Sequence, residues 1–199
     1  MISLSTILVI TPIIIFSILA IAIVIDRFKF LYKNRINMTD YVRPNESIAE
    51  LADKINSGEK SLVNDTLRSF VNSSFTTKEE LNEFVDAEFS YLHLEYYKRV
   101  GYLGIFARLS TLLGLFGTVI GMISAFNNIV EKGISNAAIV AEGISTALIT
   151  TAVGLIVAIP ATFFHDFFER QIESELKKIE IVVSTLFQKK FRRRIVPKT

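Results

Sequence analysis

The sequence predicts an all-α membrane protein with three transmembrane helices, the second and third extended far into the cytoplasm. Two observations carry this reading. The chain has 199 residues, half of them apolar, and its 22 Lys+Arg and 20 Asp+Glu residues are unevenly spread. They leave three uncharged stretches, Met1 to Ile25, Leu109 to Val130 and Gly143 to His165, each close to the ~20 residues a helix needs to cross the hydrocarbon core. The cations are also lopsided: residues 26–108 hold 12 Lys and Arg, residues 166–199 hold nine, and residues 131–142 hold only Lys132. By the positive-inside rule the two rich segments are cytoplasmic. A net charge of +2 argues against a nucleic-acid partner. With no cysteine there is no disulfide, thiolate metal site or cysteine nucleophile. His93 and His165 are too far apart in sequence to suggest a metal centre.

The first stretch, residues 1–25, lacks a preceding basic residue and ends in Asp26-Arg27-Phe28-Lys29 without a small-residue cleavage motif. It reads as an uncleaved anchor with its N-terminus outside. The segment 26–108 reads as helical throughout. Asn45 is placed to cap a short helix from Glu46 to about Asn56, and a second is expected from about Lys60 to Val71. Thr77-Lys78-Glu79-Glu80 has the form of a capping box. Beyond it Leu81, Phe84, Val85, Glu88, Phe89, Leu92, Tyr96 and Val100 recur mostly at helical spacing. No proline follows until Pro160, so this helix is expected to run without a stop into the second span, residues 109–130. An outer loop, 131–142, leads to the third span, 143–165. The tail 166–199 should continue that helix, with Pro160 kinking it near the cytoplasmic side. Its basic cluster, Lys189, Lys190, Arg192, Arg193 and Arg194, lies too far past the membrane to favour headgroups over solvent or another protein. His93 and His165 are read as structural.

The second and third spans each carry a face of small residues: Gly114, Gly117 and Gly121 in one, Gly143, Ala147, Thr151, Gly154 and Ala158 in the other. Such faces allow close backbone approach. They fit contact between subunits of an assembly or packing of the two spans within one chain. Hydroxyls at Thr111, Thr118, Ser124, Ser145, Thr146, Thr150, Thr151 and Thr162 fit either ordinary back-bonding to the helix or a polar lining. None is ionisable, so a transporter built on this chain would need its ionisable group from elsewhere. No nucleophile–base constellation or phosphate loop suggests an enzyme, and no cofactor is implied.

The run Leu112-Leu113-Gly114-Leu115-Phe116-Gly117-Thr118-Val119-Ile120-Gly121-Met122, followed by Ala125-Phe126, resembles the second span of ExbB and TolQ. The run from Glu142-Gly143-Ile144-Ser145-Thr146 to Gly154-Leu155, closing with Ala158-Ile159-Pro160-Ala161, is similar to their third. Asp26-Arg27 matches an acidic–Arg pair after the first span. The resemblance is to the MotA/TolQ/ExbB proton-channel family. Three spans rather than four favour its ExbB/TolQ branch.

The resemblance implies a homo-pentamer in the bacterial inner membrane around two copies of an ExbD- or TolR-like single-span protein that supplies a membrane aspartate. It implies a stator that uses the proton-motive force to energise a TonB- or TolA-like transducer. Carried over by motif, the pore-lining threonines fall on Thr118 and Thr151, with Thr150 beside them, and a glutamate common in ExbB and TolQ falls on Thr146. That departure agrees with a carboxylate supplied by the partner, and a hydroxyl-rich lining also suits sodium. A passive cation channel and a non-conducting membrane scaffold remain as alternatives.

Overall fold

The computed structural model describes residues 4–41, 48–73, 75, 77–132 and 137–195, with side chains at some of these left aside. The described residues are helical apart from short connections. The elements are α1 (Leu4–Lys33), a 3-10 turn (Met38–Asp40), α2 (Ile48–Ser57), α3 (Leu62–Asn72), α4 (Lys78–Tyr97), α5 (Val100–Lys132) and α6 (Ala137–Ile195). Three of the helical runs among the described residues are long and apolar enough to cross a membrane. They contain the three uncharged stretches of the sequence, as far as those are described. The chain divides into two compact units, Met1–Arg27 with Arg99–Phe168, and Phe28–Lys98 with Glu169–Thr199.

In the first unit, α5 and α6 run antiparallel against each other, and α1 packs beside them. Phe16 of α1 stacks on Phe106 of α5 at 5.2 Å between ring centres. An apolar crevice of about 390 Å³ lies between α1 and α6, where Ala20 and Val24 face Val157 and Pro160. Pro160 lies inside α6, and the helix continues on both sides of it. Its ring nitrogen leaves the Ile156 carbonyl without a helical donor.

The second unit is assembled around large apolar side chains. Leu51 and Ile55 of α2 are buried with Val63, Leu67 and Phe70 of α3. The Arg68 guanidinium donates to the Ile55 carbonyl at 3.0 Å and the Asn56 carbonyl at 3.1 Å, satisfying the end of α2. Ser61 caps α3 by accepting the Asn64 amide at 3.2 Å. The expected Asn45 cap lies outside the described residues, as do the side chains of the Lys189–Arg194 cluster. Thr77 forms the expected capping box: its hydroxyl accepts the Glu80 amide at 3.2 Å, and the Glu80 carboxylate accepts the Thr77 amide at 3.4 Å. Leu81, Leu92 and Tyr96 of α4 are fully buried, and so are Ile172 and Ile179 of α6.

A set of buried polar groups ties these elements together. The Tyr96 hydroxyl donates to the Asn34 carbonyl at 2.9 Å. The Asn34 side chain donates to the Phe30 carbonyl and accepts the Leu62 amide, both at 2.8 Å. Glu175, 5% exposed, accepts the Ile36 amide at 3.2 Å and the Lys178 ammonium at 2.6 Å. Burial pushes the Tyr96 phenol well above its ordinary value, and the negative Glu175 nearby pushes it the same way. Glu88, the carboxylate within the apolar stripe of α4, accepts the Thr66 hydroxyl at 3.1 Å.

One sequence expectation is overturned. The helix that starts at Thr77 does not run unbroken into the second span, because α4 ends at Tyr97 and α5 starts at Val100. Lys98 leaves helical geometry (φ −49°, ψ 125°), and Arg99 sits in the left-handed region at φ 66°. A non-glycine residue there costs about 1–3 kcal/mol. The conformation is held by burial of Val100 and Leu103 and by the Arg99 guanidinium, 3.4 Å from Asp26 at the end of the first stretch. The helix that carries the second uncharged stretch therefore extends back only to Val100, whereas α6 does run on past the third stretch to Ile195.

Candidate functional site

The seam between α5 and α6 is built from missing side chains. A Cβ on Gly154 would stand 2.5 Å from the Ser110 carbonyl oxygen, and one on Gly114 would stand 3.2 Å from the Thr151 Cα. A Cβ on Gly121 would meet the Ala147 Cβ at 2.7 Å, and one on Gly143 the Ala125 Cβ at 2.6 Å. Gly117 leaves the space that the Thr150 side chain fills. As the position on α5 rises through 110, 114, 117, 121 and 125, its neighbour on α6 falls from 154 to 143, as an antiparallel pair requires. The small-residue faces thus meet each other inside one chain, and the contact between subunits that such faces also fit is not needed to explain them. Ala147 and Ala158 are buried on the same side of α6.

Hydroxyls line this seam and its edges. Thr151, half-buried, donates across the seam to the Gly114 carbonyl at 3.0 Å. Thr150, expected beside it on an ion-pathway lining, is turned into the seam and 2% exposed. Its hydroxyl donates to the Ala147 carbonyl at 2.7 Å, with the Gly114 carbonyl at 3.4 Å. Thr118 donates to the Leu115 carbonyl at 2.6 Å, and Thr146 to the Glu142 carbonyl at 2.9 Å, both within their own helices. Thr111 and Thr162 back-bond likewise to Ala107 and Ala158. A hydroxyl that donates a hydrogen bond to a carbonyl still has lone pairs, so it can accept a hydrogen bond or ligate a cation.

Ser110 is the residue that sequence reasoning passed over. It is fully buried beneath Gly154, and its hydroxyl has no partner among the described residues. The signal was its spacing, four residues before Gly114 and in phase with Gly117 and Gly121. At the far end of the seam Gly104 makes room for the His165 ring, whose Nε2 would stand 3.1 Å from a Cβ there. His165 Nδ1 lies 3.1 Å from the Asp166 carboxylate. Arg27 is 4% exposed, and its Nη2 donates to the Asp26 carboxylate at 2.8 Å. Asp26 thus receives two guanidinium groups, from Arg27 and Arg99.

No ionisable side chain occurs in Leu109 to Val130 or in Gly143 to Phe164. The seam can hold helices together and offer oxygen lone pairs. It cannot by itself take up and release a proton near neutral pH.

No curated protein matches the chain. Ten chains of solved structures do. One, from the structure of C. jejuni MotAB, matches with a TM-score of 0.65 and 18% identity over 94% of this chain and 77% of that one. At that identity the likeness is one of fold. The model of the MotA/TolQ/ExbB proton channel family matches residues 54–181, most of the chain. Together with three apolar helices, this makes the chain a multi-pass membrane protein that belongs to the MotA/TolQ/ExbB proton channel family.

Proposed function

We propose that this protein is the stator subunit of an ion-driven motor of the bacterial inner membrane. Five copies enclose the membrane helices of a single-span, ExbD- or TolR-like dimer, and the assembly energises a TonB- or TolA-like transducer. The spans are residues 1–25, 109–130 and 143–165, with the N-terminus and the loop 131–142 on the periplasmic side. Residues 26–108 and 166–199 are cytoplasmic, in accord with the placement of 21 of the 22 Lys and Arg residues.

The observation that carries the reading is the absence of any carboxylate, ammonium or imidazole within the second and third spans up to Phe164. A proton carrier must be charged and neutral in turn, and the family's chemistry therefore requires the partner's aspartate. Thr118, Thr146 and Thr151 line its path. Their protons are committed to backbone carbonyls, so their lone pairs are offered to a protonated carboxyl, while the apolar wall disfavours its ionised form. Thr150 supports Thr151 from inside the seam.

The test is proton flux into liposomes containing the subunit alone, the subunit with its co-purified single-span partner, or that complex with the partner's membrane aspartate changed to asparagine. Flux is expected only from the second. Equal flux from the subunit alone would overturn the motor and leave a passive channel.

A further inference from the structure

The second unit carries an open groove of about 980 Å³ between α4 and α6. On α4 it follows Asp86, Phe89, His93 and Tyr97, about three turns or roughly 16 Å of helix. On α6 it follows Glu173, Leu176, Lys177 and Glu180, which share one helical face. The floor is apolar: Phe89 and Leu176 line it, and Leu94 is left 71% exposed at its side. The rim is acidic. Asp86, Glu173 and Glu180 have no ion-pair partner among the described residues, and Lys177 is the one lysine or arginine among the residues that line the groove. The acidic groups act on Tyr97 as well: burial raises its phenol's pKa, and the negative Glu173 and Glu169 raise it further.

We propose that this groove is the docking site of a cationic amphipathic helix on a partner protein. A groove about three turns long with an apolar floor fits a helix presenting leucine-like residues at i, i+3 or i+4 and i+7. The rim carboxylates then meet its lysines or arginines, which supplies both steering and register. An anionic lipid headgroup is disfavoured by the same rim. A single metal ion is disfavoured because Glu173 and Glu180 stand two helical turns apart. The proposal concerns a surface separate from the membrane seam and does not depend on the ion-pathway reading.

The chain has no cysteine, so the S90C variant carries one fluorophore at the groove wall. The full-length protein is placed in phosphatidylcholine nanodiscs and titrated with a synthetic helix of about four turns, leucine on one face and lysine elsewhere. The same peptide with glutamate for lysine serves as the control, and empty discs give the background. Saturable binding of the lysine peptide is expected, with none of the glutamate peptide. The combined changes Asp86→Asn, Glu173→Gln and Glu180→Gln should weaken it about tenfold or more, and Leu94→Gln should weaken it as well. Glu180→Gln alone, at an exposed position, repeats the test if the triple variant loses its fold. Unchanged affinity in these variants, or equal binding of both peptides, overturns the proposal. So does a thiol that is unreactive to maleimide in the intact assembly, since a second copy would then be covering the groove.

Discussion

Each of the two units of this molecule is held together from within, and the two by opposite means. The α5–α6 seam of the first depends on what is missing: Gly114, Gly117, Gly121 and Gly154 let backbones approach, and the hydroxyls between them bond to carbonyls. The second depends on what is present: Leu51, Phe70, Leu92 and Ile172 fill its interior, and Asn34, Tyr96 and Glu175 join its elements. The solvent explains the difference. In a bilayer an exposed leucine is already among apolar neighbours, so burying it gains little, and association rests on close packing. In water each buried apolar side chain contributes about 1.5–3 kcal/mol. The two units should therefore fail differently when substituted.

The largest effect is expected at Gly154. A leucine there must displace the backbone of α5, since the first Cβ contact is the Ser110 carbonyl oxygen at 2.5 Å and backbone cannot swing aside as a side chain can. Gly154→Leu should cost more than the ~1–3 kcal/mol typical of overpacking. It is expected to abolish recovery of folded protein in detergent extracts. Gly101→Ala is the contrast, because a Cβ there meets nothing within 4 Å. That variant should hold or slightly raise the melting midpoint, by up to about 1 kcal/mol, through helix propensity alone. Equal behaviour of the two would show that the seam is not closely packed.

Next comes Glu175, where the second unit is expected to be most sensitive. Glu175→Ala strands the buried Ile36 amide and removes the Lys178 contact. A stranded buried donor costs about 1–3 kcal/mol, which a thermal melt of the purified protein would read as a lowered midpoint. Tyr96→Phe removes one hydroxyl bond and should cost about 1 kcal/mol. It also changes the pH response. Because the folded phenol is held above its ordinary value of 10.0, only the unfolded chain releases this proton as pH first rises past that value. The folded state then binds more protons than the unfolded one, and stability falls with rising pH. Midpoints measured between pH 8 and about 11 should therefore fall less steeply in Tyr96→Phe; parallel curves would refute the buried phenol.

These contrasts also explain how much was legible in the sequence. The capping box at Thr77 and Glu80 and the small faces of the second and third spans were readable because each is a local pattern with one geometric meaning. The partner of each face was not, because a glycine stripe specifies closeness without specifying to whom. The break at Lys98 and Arg99 was hidden for a different reason. Leu92, Tyr96, Val100 and Leu103 keep helical spacing across it, neither residue at the break is a proline or a glycine, and the Asp26 carboxylate that helps hold it lies 73 residues away. Glu175 is still more remote from its amide partner, at a separation of 139 residues. Long-range polar pairs leave no periodic trace.

Smaller effects separate residues that look alike in sequence. Thr151→Val preserves shape and removes the hydroxyl that reaches the Gly114 carbonyl. Interhelical hydrogen bonds in membranes average about 0.6 kcal/mol, so the midpoint should drop only slightly. If the lining role proposed for it holds, ion-coupled work should fall far more than stability does. Full activity in both Thr118→Val and Thr151→Val, measured in an uptake or motor assay, would remove these threonines from the ion path.

Ser110 should give the smallest effect, and one of opposite sign. Its hydroxyl is as deeply buried as that of Thr150, yet it has no partner among the described residues. A buried polar group without a bond has lost its solvation and gained nothing in return. Ser110→Ala removes that group while leaving a side chain small enough for the approach of Gly154, so the seam should hold with unchanged geometry and a melting midpoint equal to or above that of the parent. Thr150→Ala tests the other half of the argument. It removes a satisfied hydroxyl and opens space beside Gly117, and the midpoint should fall by the equivalent of about 1–2 kcal/mol. A loss of stability in Ser110→Ala as large as that in Thr150→Ala would mean that the serine hydroxyl is bonded in the working protein, to water or to an ion held within the seam.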